Sequence, residues 1–378
     1  MSAQIVLMKV LHLLDTVNRG GAETLVLDVC RNAEDYEIDL TFVTAQGGEL
    51  EEDFRTSGAD FIRLQRRFPV DFGAILKLRK IIKQRKIQIV HAHQAVDGLH
   101  LYLATIGLPV KRVLTFHGFI TDAKNRRTLR VLIPQMNANI VVSRGLQKWL
   151  EKEDKLNVKQ NFYVIYNGTD EKRLQPTGKS LKKELSLNED VLLFGMIGNF
   201  YRDPRKDQMT LCQSLPKVFA EIKNAHCIFA GKTEAGAEEK FRECVEFCRK
   251  DGIAEKVHFL GVRDDIPDVL AALDLFVFSS LQEGLPIALT EAMLAGVPLI
   301  VSDIEPLLEA SDNGKYAEVF PVKNAEVLSE KILKLLKDEN LREDLANRAL
   351  EFAKENFSIE AHLKELKKLY DSLLEKDF

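Results

Sequence analysis

Short runs of β-branched and apolar residues alternate along the chain with longer segments in which apolar positions recur at helical spacing. Turn residues separate each run from the segment that follows it. This alternation is typical of a parallel β-sheet covered by α-helices, because parallel strands need a crossover connection. In the first half of the chain the pattern predicts strands at residues 9–14, 38–44, 60–64, 87–91, 112–116, 139–142 and 163–166.

The alternation lapses between residues 167 and 190, where glycine, proline and threonine replace the periodic pattern. Such a turn-rich stretch suits a linker between domains. After the linker the chain predicts strands at 191–197, 226–230, 257–260, 273–278, 298–301 and 317–322, and then helices at 325–337, 340–356 and 358–375. We therefore expect two α/β domains in tandem, followed by a helical tail.

The composition fits this organisation. A chain of 378 residues, 46% hydrophobic and 29% charged, can bury two cores and is not a disordered protein. Five cysteines without a C-x-x-C pair do not make a disulfide scaffold, and no apolar run approaches the roughly 18 residues of a membrane helix. The apolar start, residues 5–14, is interrupted by Lys9 and His12 and lacks a basic leader. It therefore predicts a buried strand rather than an export signal, and a cytoplasmic protein.

Charge is distributed unevenly, although the net charge is only −4. The first 180 residues contain 27 lysines and arginines against 20 acidic residues, and the remainder contains 26 against 37. Residues 61–130 are the extreme, with 15 basic and 3 acidic side chains. These cations either form ordinary solvated helix faces or attract an anionic partner such as a membrane surface. Nucleic acid is disfavoured, because no aromatic residues are interleaved with the cations as base stacking requires.

Two glycines follow the first predicted strand. Gly20 and Gly21 precede a helix that we expect to begin at Thr24. They either let the backbone approach a ligand or form a tight turn. Their spacing matches neither a dinucleotide fingerprint nor a P-loop, so the motif alone is weak.

Histidines end two strands of the first domain. His117 is backed by Gly118, which favours a place in a site over the structural role that a lone histidine usually has. His91 and His93 are metal ligands by type, but we expect their side chains to point in opposite directions, with no carboxylate or thiolate near them in sequence. No metal site is therefore expected.

Two loops of the second domain carry charged residues. Residues 198–207 follow the domain's first strand and contain Arg202, Arg205 and Lys206. Cations beside backbone amides suit a diphosphate, and an exposed basic turn is the plain alternative. After a later strand, Glu283 lies in a loop and Glu291 in the helix that follows it. Two spaced acceptors can hold two hydroxyl-bearing parts of one ligand.

With these motifs the chain resembles a known family, the retaining glycosyltransferases of the two-domain GT-B fold (family four). The resemblance runs through the whole chain and depends on an ordered set of motifs. They are Gly20-Gly21-Ala22-Glu23, Val141-Val142-Ser143, Asn167-Gly168-Thr169-Asp170, the loop from Gly198 to Lys206, the run from His258 to Arg263, and the pair Glu283 and Glu291.

The resemblance implies an α/β fold with two Rossmann-like domains facing across a cleft and a last helix that crosses back to the first domain. Residues 1–180 with 358–378 would bind the acceptor, and residues 185–357 the nucleotide sugar. It further implies that His117 and Glu283 are the catalytic residues, with His117 near the reaction centre and Glu283 on the donor sugar. The remaining donor-binding residues are Gly20, Gly21, Asn199, Arg202, Arg205, Lys206 on the diphosphate, Arg263 whose backbone frames the base, Gly284, Leu285, Pro286, Ile287, and Glu291 on the ribose.

One position departs from the family pattern. Many members carry arginine where this chain has Asn199, and either Arg202 or Arg205 is expected to supply the missing charge.

The implied activity is that of a metal-independent, hexosyltransferase-type enzyme without a cofactor. It would transfer a sugar, with retention, from a UDP- or GDP-linked donor to a glycan or lipid-linked acceptor. An anionic membrane surface at the inner face is a further expected partner, and nucleic acid is not. The alternatives are a nucleotide-sugar epimerase or phosphorylase of the same fold, or a non-catalytic sugar-binding protein.

Overall fold

The computed structural model describes residues 7–120 and 122–375. Residues 5 and 6 of the predicted first strand, and residues 376–378 of the expected first domain, lie outside the described residues. The chain divides into two compact units: unit 1 runs to Thr169 and resumes at Ile359, and unit 2 is Asp170–Ser358.

Unit 1 contains a seven-stranded sheet in the order β3-β2-β1-β4-β5-β6-β7, with every neighbouring pair parallel. The strands are β1 Met8–Leu14, β2 Ile38–Thr44, β3 Asp60–Arg63, β4 Ile89–Ala92, β5 Lys111–Phe116, β6 Ala138–Val141 and β7 Phe162–Val164. The helices of its first segment are α1 Gly21–Asn32, α2 Glu51–Arg55, α3 Phe72–Arg85, α4 Ala95–Thr105, α5 Ala123–Leu132 and α6 Arg144–Lys152.

The central strand of unit 1 explains why the apolar runs predicted the sheet so well. In β1, the side chains of Val10, Leu11, Leu13 and Leu14 are all at most 1% exposed, although neighbouring residues point to opposite faces. A strand that is covered on both faces is apolar at successive positions, so its sequence is a continuous apolar run. The strand order reverses at β1, and such a switch point is where open α/β sheets bind ligands.

Unit 2 contains a six-stranded parallel sheet in the order β10-β9-β8-β11-β12-β13. The strands are β8 Leu192–Ile197, β9 Ala225–Ala230, β10 Val257–Gly261, β11 Leu275–Phe278, β12 Leu299–Ser302 and β13 Glu318–Phe320. The helices are α7 Leu181–Glu184, α8 Gln208–Glu221, α9 Glu238–Lys250, α10 Ile266–Ala271, α11 Ile287–Leu294, α12 Glu305–Ala310, α13 Ala325–Lys337 and α14 Glu339–Asn356.

The turn-rich stretch expected to serve as a linker is fixed to unit 2 from Asp170 onward. Asp268, in the first turn of α10, accepts hydrogen bonds from the Thr177 hydroxyl at 2.7 Å and from the amides of Gly178 and Lys179 at 3.0 and 3.1 Å. The boundary between the units falls at residue 169 rather than near 180. The hydrogen bonds to Asp268 hold residues 177–179, for which the sequence pattern predicted no element, against α10.

The last helix, α15 (Ile359–Glu375), belongs to unit 1. Its buried stripe includes Leu363, Leu366, Tyr370 and Leu373, and its first amide donates to the Thr169 carbonyl at 2.9 Å. The prediction that the final helix packs on the first domain is confirmed.

Two smaller predictions also agree with the structure. Ser143 caps α6, since its hydroxyl accepts from the Leu146 amide at 3.0 Å. Cys244 and Cys248 are buried in the core of unit 2 and are not paired as a disulfide. Within the described ranges, the structure contains no helix that is both long enough and apolar enough to cross a bilayer.

Candidate functional site

Two loops meet at the switch point of the unit 2 sheet. Because β8 and β11 are neighbours, the loop that follows β8 lies beside the loop that follows β11. Backbone hydrogen bonds join them: the Asp207 amide donates to the Ser279 carbonyl at 3.1 Å, and the Leu281 amide donates to the Arg205 carbonyl at 2.7 Å. Ligands of open parallel sheets bind at this position.

Lys206 and Glu283 form a buried ion pair between these loops. Lys206 Nζ lies 2.5 Å from Glu283 Oε1, and the two side chains are 8% and 10% exposed. Ser280 Oγ donates to the same carboxylate oxygen at 2.5 Å, and Nζ lies 3.9 Å from the centre of the Phe278 ring. Burial lowers the pKa of Lys206, and the charge of Glu283 opposes that shift. Water screens the charges of this buried pair little, so each group offsets much of the other's charge.

The two arginines of the first loop have different surroundings. Arg205 donates to Asp203 from Nε at 2.7 Å and from Nη2 at 2.6 Å, and its guanidinium lies 4.6 Å from the centre of the Tyr201 ring. Arg202 is exposed and has no carboxylate partner within the described part of the chain. Of the two arginines expected to compensate for Asn199, Arg202 therefore carries the uncompensated charge.

Asn199 ties two loops together. Its Oδ1 accepts from the Lys232 amide at 2.9 Å, in the loop after β9, and its carbonyl accepts from Gln208 Nε2 at 3.1 Å. The loops approach so closely that a Cβ on Gly231, where φ is +150°, would lie 2.4 Å from the Gly198 carbonyl oxygen. The asparagine at this position thus has a structural contact that accounts for its presence.

Glu291 pairs with an arginine that the sequence did not single out. Arg173 Nη1 lies 2.6 Å from Glu291 Oε1, and the side chains are 19% and 10% exposed. Arg173 belongs to the 3₁₀ turn Glu171–Leu174 at the start of unit 2. A carboxylate oriented in this way keeps lone pairs for hydroxyl donors, as the expected ribose contact requires.

The residues between the two glutamates form the entry to α11. Gly284, Leu285, Pro286 and Ile287 are all buried, and Pro286 is the N-cap residue. The first turn of a helix presents backbone amides and a partial positive charge, both of which favour an anion. Their donor-binding role stays a prediction.

The Arg263 side chain is fully engaged with two carboxylates. It donates to Glu184 at 2.6 and 2.9 Å and to Asp265 at 2.8 and 2.6 Å. These bonds raise the pKa of Arg263 and lower the pKa values of both acids. The guanidinium thereby connects α7 to the loop after β10. The expected contact with the base involves the backbone around Arg263, not this side chain, and it stays a prediction.

In unit 1 the glycine pair lies at the switch point, at the start of α1. Gly20 is the N-cap residue, and its carbonyl accepts from the Thr24 amide at 2.9 Å. A Cβ on Gly20 would lie 2.5 Å from Glu23 Oε2, and burial raises the pKa of that carboxyl. The helix begins at Gly21, so the prediction that it begins at Thr24 was wrong. Gly21 has already adopted helical backbone.

A chain of hydrogen bonds links four histidines and a tyrosine in unit 1. Its successive distances are His117 Nε2 to His93 Nδ1 2.9 Å, His93 Nε2 to His12 Nδ1 3.1 Å, His12 Nε2 to Tyr370 Oη 3.0 Å, Tyr370 Oη to His91 Nδ1 2.6 Å, and His91 Nε2 to Thr115 Oγ1 2.6 Å. A neutral imidazole has one N–H, so each ring donates at one side and accepts at the other.

The prediction that His91 and His93 point apart was wrong. Residues two apart on a strand share a face, and it is sequence neighbours that alternate. With His12 they form a group, among the described residues, whose potential ligand atoms all lie within 4.8 Å of one another. Every ring nitrogen of the three already has a hydrogen-bond partner. The absence of a metal stays a prediction.

The His117 ring is less accessible to a ligand than its position at a strand end suggested. Its Nε2 bonds to His93, and its Nδ1 is buried without a partner in the described part of the molecule. Burial lowers the pKa of His117 to about 3, so the ring is neutral at physiological pH. Its catalytic role stays a prediction.

Two family models match consecutive parts of this chain. The model described as Glycosyltransferase Family 4 matches residues 19–173, and the model described as Glycosyl transferases group 1 matches residues 179–352. The chain belongs to the group 1 glycosyltransferases. It is therefore a transferase enzyme.

Curated relatives of this glycosyltransferase are similar over most of their length. N-acetyl-α-D-glucosaminyl L-malate synthase of Bacillus anthracis is 26% identical over 318 residues, which is 82% of this chain and 81% of the relative. UDP-Gal:α-D-GlcNAc-diphosphoundecaprenol α-1,3-galactosyltransferase of Escherichia coli is 25% identical over 79% of this chain and 80% of its own length.

Solved structures show the fold. Anabaena HepE in complex with UDP and glucose has a TM-score of 0.84 at 19% identity, covering 97% of this chain and 100% of HepE. A glycosyltransferase from Rickettsia africae has a TM-score of 0.83 at 18% identity, covering 97% and 99%. With such neighbours, two Rossmann-like units with parallel sheets confirm the GT-B fold expected from the sequence.

Within each unit, the candidate residues have partners that sequence reasoning missed. Arg173 and Ser280 contact Glu291 and Glu283, and Tyr370 bonds to two histidines of unit 1. Arg173 lies three residues after the motif at 167–170, and this proximity to a family motif was the sequence signal that could have identified it. Ser280 lies three residues before Glu283 in the same loop, so its contact is local. Tyr370 had no such signal, because only the tertiary fold brings its partners to it.

Proposed function

We propose that this glycosyltransferase moves a sugar from a nucleotide-diphosphate sugar to a glycan or lipid-linked acceptor, with retention at the anomeric carbon. The observation that carries the proposal is the buried Lys206–Glu283 pair at the switch point of unit 2. The bound UDP in HepE and the sugar acceptors named for the curated relatives support it.

In this proposal unit 2 stabilises the leaving diphosphate. Negative charge develops on the diphosphate as its bond to the anomeric carbon breaks, and preorganised cations and amides lower the energy of that state. Lys206 Nζ and the Arg202 guanidinium would supply the cations, and the first turn of α11 the amides. Glu283 would then accept from hydroxyls of the sugar and Glu291 from those of the ribose.

The test is a comparison of Lys206→Gln with Lys217→Gln. Lys217 lies in the same unit, is 44% exposed and pairs with Glu330 at 3.4 Å, so it controls for the loss of one charge. Loss of a buried charged hydrogen bond should weaken binding of a nucleoside diphosphate about tenfold or more, measured by calorimetry. Equal affinity of the two variants would refute the role of Lys206. Proton NMR of the product's anomeric coupling tests retention.

We also propose that unit 1 associates with an anionic membrane at its inner face. Exposed cations on α3 and α5 support this, namely Lys77, Lys80, Lys83, Lys124, Arg127 and Arg130. Each well-placed cation contributes on the order of 1 kcal/mol to such binding. Flotation with vesicles rich in phosphatidylglycerol tests it, since added salt should release the protein; salt-insensitive binding, or none, would contradict the proposal.

A further inference from the structure

A basic cavity lies at one edge of the unit 1 sheet, away from the histidine chain. Its volume is about 570 Å³. It is formed by the loops after β2 and β3, at the carboxyl ends of both strands, where parallel sheets present ligand-binding loops. The lining residues that matter are Gly47, Gly48, Glu51, Arg63, Arg66 and Arg67.

The lining contains three arginines and one carboxylate, that of Glu51. Arg63 Nη1 donates to Glu51 Oε2 at 3.1 Å. Arg66 is 9% exposed, and its Nη2 donates to Asp15 at 2.6 Å, which fixes it in the cavity wall. Arg67 is exposed, and its guanidinium forms no ion pair with any residue in the described part of the chain. Arg66 Nη1 also lies 3.5 Å from Asp97 Oδ1. Arg63 and Arg66 are therefore ion-paired, and Arg67 is the unpaired cation of the lining.

The glycines let the loop after β2 close over this wall. A Cβ on Gly47 would lie 2.6 Å from Glu51 Oε2 and 3.0 Å from Arg63 Cζ. A Cβ on Gly48 would lie 2.4 Å from the carbonyl carbon of Val17, in the loop after β1. Gly48 needs to be glycine, because its neighbours are backbone atoms of the loop after β1, whereas the atoms near Gly47 are the ends of flexible side chains.

An apolar surface begins where the basic cavity ends. Four large side chains within nine residues after Arg67 are exposed to solvent: Phe68 by 65%, Val70 by 42%, Phe72 by 74% and Leu76 by 68%. Phe72 and Leu76 share one face of α3 with the exposed Lys80 and Lys83, because these positions follow helical spacing. The opposite face of α3 is buried. Exposed apolar groups beside cations are typical of a surface that enters the lipid headgroup region.

We propose that this cavity binds the diphosphate of a lipid-linked acceptor, while Phe68, Val70, Phe72 and Leu76 enter the membrane from which that lipid comes. Adjacent phosphates carry several acceptor oxygens and suit guanidinium groups, which can bind them in a bidentate manner. A soluble anion would need the arginines but not the apolar surface. The inference rests on the proposed function, since it names the class of acceptor that unit 1 would present.

The experiment compares three probes: phosphatidylcholine vesicles that contain a polyprenyl diphosphate, vesicles that contain phosphatidylglycerol instead, and inorganic diphosphate in solution. The wild-type protein should prefer the polyprenyl diphosphate vesicles, and inorganic diphosphate should compete for them. Arg67→Ala should weaken that binding about tenfold, and Arg67→Lys should restore part of it. Phe68→Ser with Phe72→Ser should abolish vesicle binding but leave affinity for inorganic diphosphate unchanged.

Lys152→Ala is the matched control, because Lys152 lies in the same unit and its side chain is 84% exposed. Equal vesicle binding by Arg67→Ala and Lys152→Ala would overturn the inference. So would equal binding to the two kinds of vesicle, which would show a general anionic surface. Binding of inorganic diphosphate without any vesicle preference would assign the cavity to a soluble anion. Calorimetry with UDP separates the two levels: if UDP binds and the vesicle results fail, only this inference fails.

Discussion

Unit 1 should lose stability at mildly acidic pH, because its core holds histidines in their neutral form. His12, His91, His93 and His362 are all at most 9% exposed. Burial lowers the pKa of His12 to about 3 and that of His362 to about 4, and it lowers the pKa values of His91 and His93 well below the usual range. The unfolded chain takes up these protons near pH 6.5 and the folded unit does not. Stability is therefore complete above pH 6.5 and falls as the pH decreases toward the folded pKa values.

The expected loss is large compared with the stability of a typical domain. His117, whose pKa burial also lowers to about 3, adds a fifth such group. At pH 5.5, one unit below the unfolded pKa, each buried neutral histidine costs roughly 1 to 2 kcal/mol, or about 7 kcal/mol for the five. Asp97 opposes this change, because burial raises its pKa and the folded unit then binds a proton that the unfolded chain does not. It offsets at most about one of the five protons, which leaves a net loss of roughly 5 kcal/mol against a usual total of about 5 to 15 kcal/mol.

The chain's single tryptophan makes the measurement specific. Trp149 lies in α6, so urea unfolding followed by its fluorescence reports on unit 1. Between pH 6.5 and 5.5 the unfolding free energy should fall with a slope of about three protons. His12→Gln should reduce the slope by about one proton, whereas His258→Gln, in unit 2, should not change it. A wild-type slope below one proton would refute the reasoning.

Three further predictions concern the site and the last helix. Glu291→Gln should weaken nucleoside diphosphate binding by roughly 1.5 to 3 kcal/mol, since a charged acceptor of hydroxyls is lost; unchanged affinity by calorimetry would exclude the ribose contact. Dialysis against EDTA should leave transferase activity unchanged, and a loss restored by a divalent cation would show that the reaction needs a metal. Tyr370→Phe should destabilise unit 1 by about 1 to 3 kcal/mol, because two buried histidine nitrogens lose one hydroxyl partner. Trp149 fluorescence with Leu369→Met as the packing control measures it, and equal stability of the two variants would contradict the hydrogen-bond account.

The strands were predictable because their physical cause is local. A parallel strand covered on both faces must be apolar at successive positions, as in β1, so its sequence alone reveals it. The loops that follow β8 and β11 were predictable for a related reason, since strand ends in such sheets collect ligand-binding residues. These two rules located Lys206 and Glu283 without any knowledge of their contact.

The partners within the site were not predictable, because they depend on tertiary contacts. Arg173 reaches Glu291 across 118 positions of sequence, and no local pattern connects them. The pair Arg205 and Asp203 is local, yet only the structure shows that this arginine is neutralised and Arg202 is not. The error about His91 and His93 was a different one, since the alternation of strand side chains was applied with the wrong period.

The hydroxyl of Tyr370 has a consequence for how this protein is synthesised. It bonds to histidines of β1 and β4, and Tyr370 is 358 positions beyond His12. The strands of unit 1 leave the ribosome before unit 2, and the helix that covers their histidines leaves after it. Unit 2, whose residues form one continuous segment, can complete its core before α15 is made. The sheet of unit 1 therefore keeps polar groups and apolar surface uncovered until α15 has been synthesised, and chaperones can bind it during that interval.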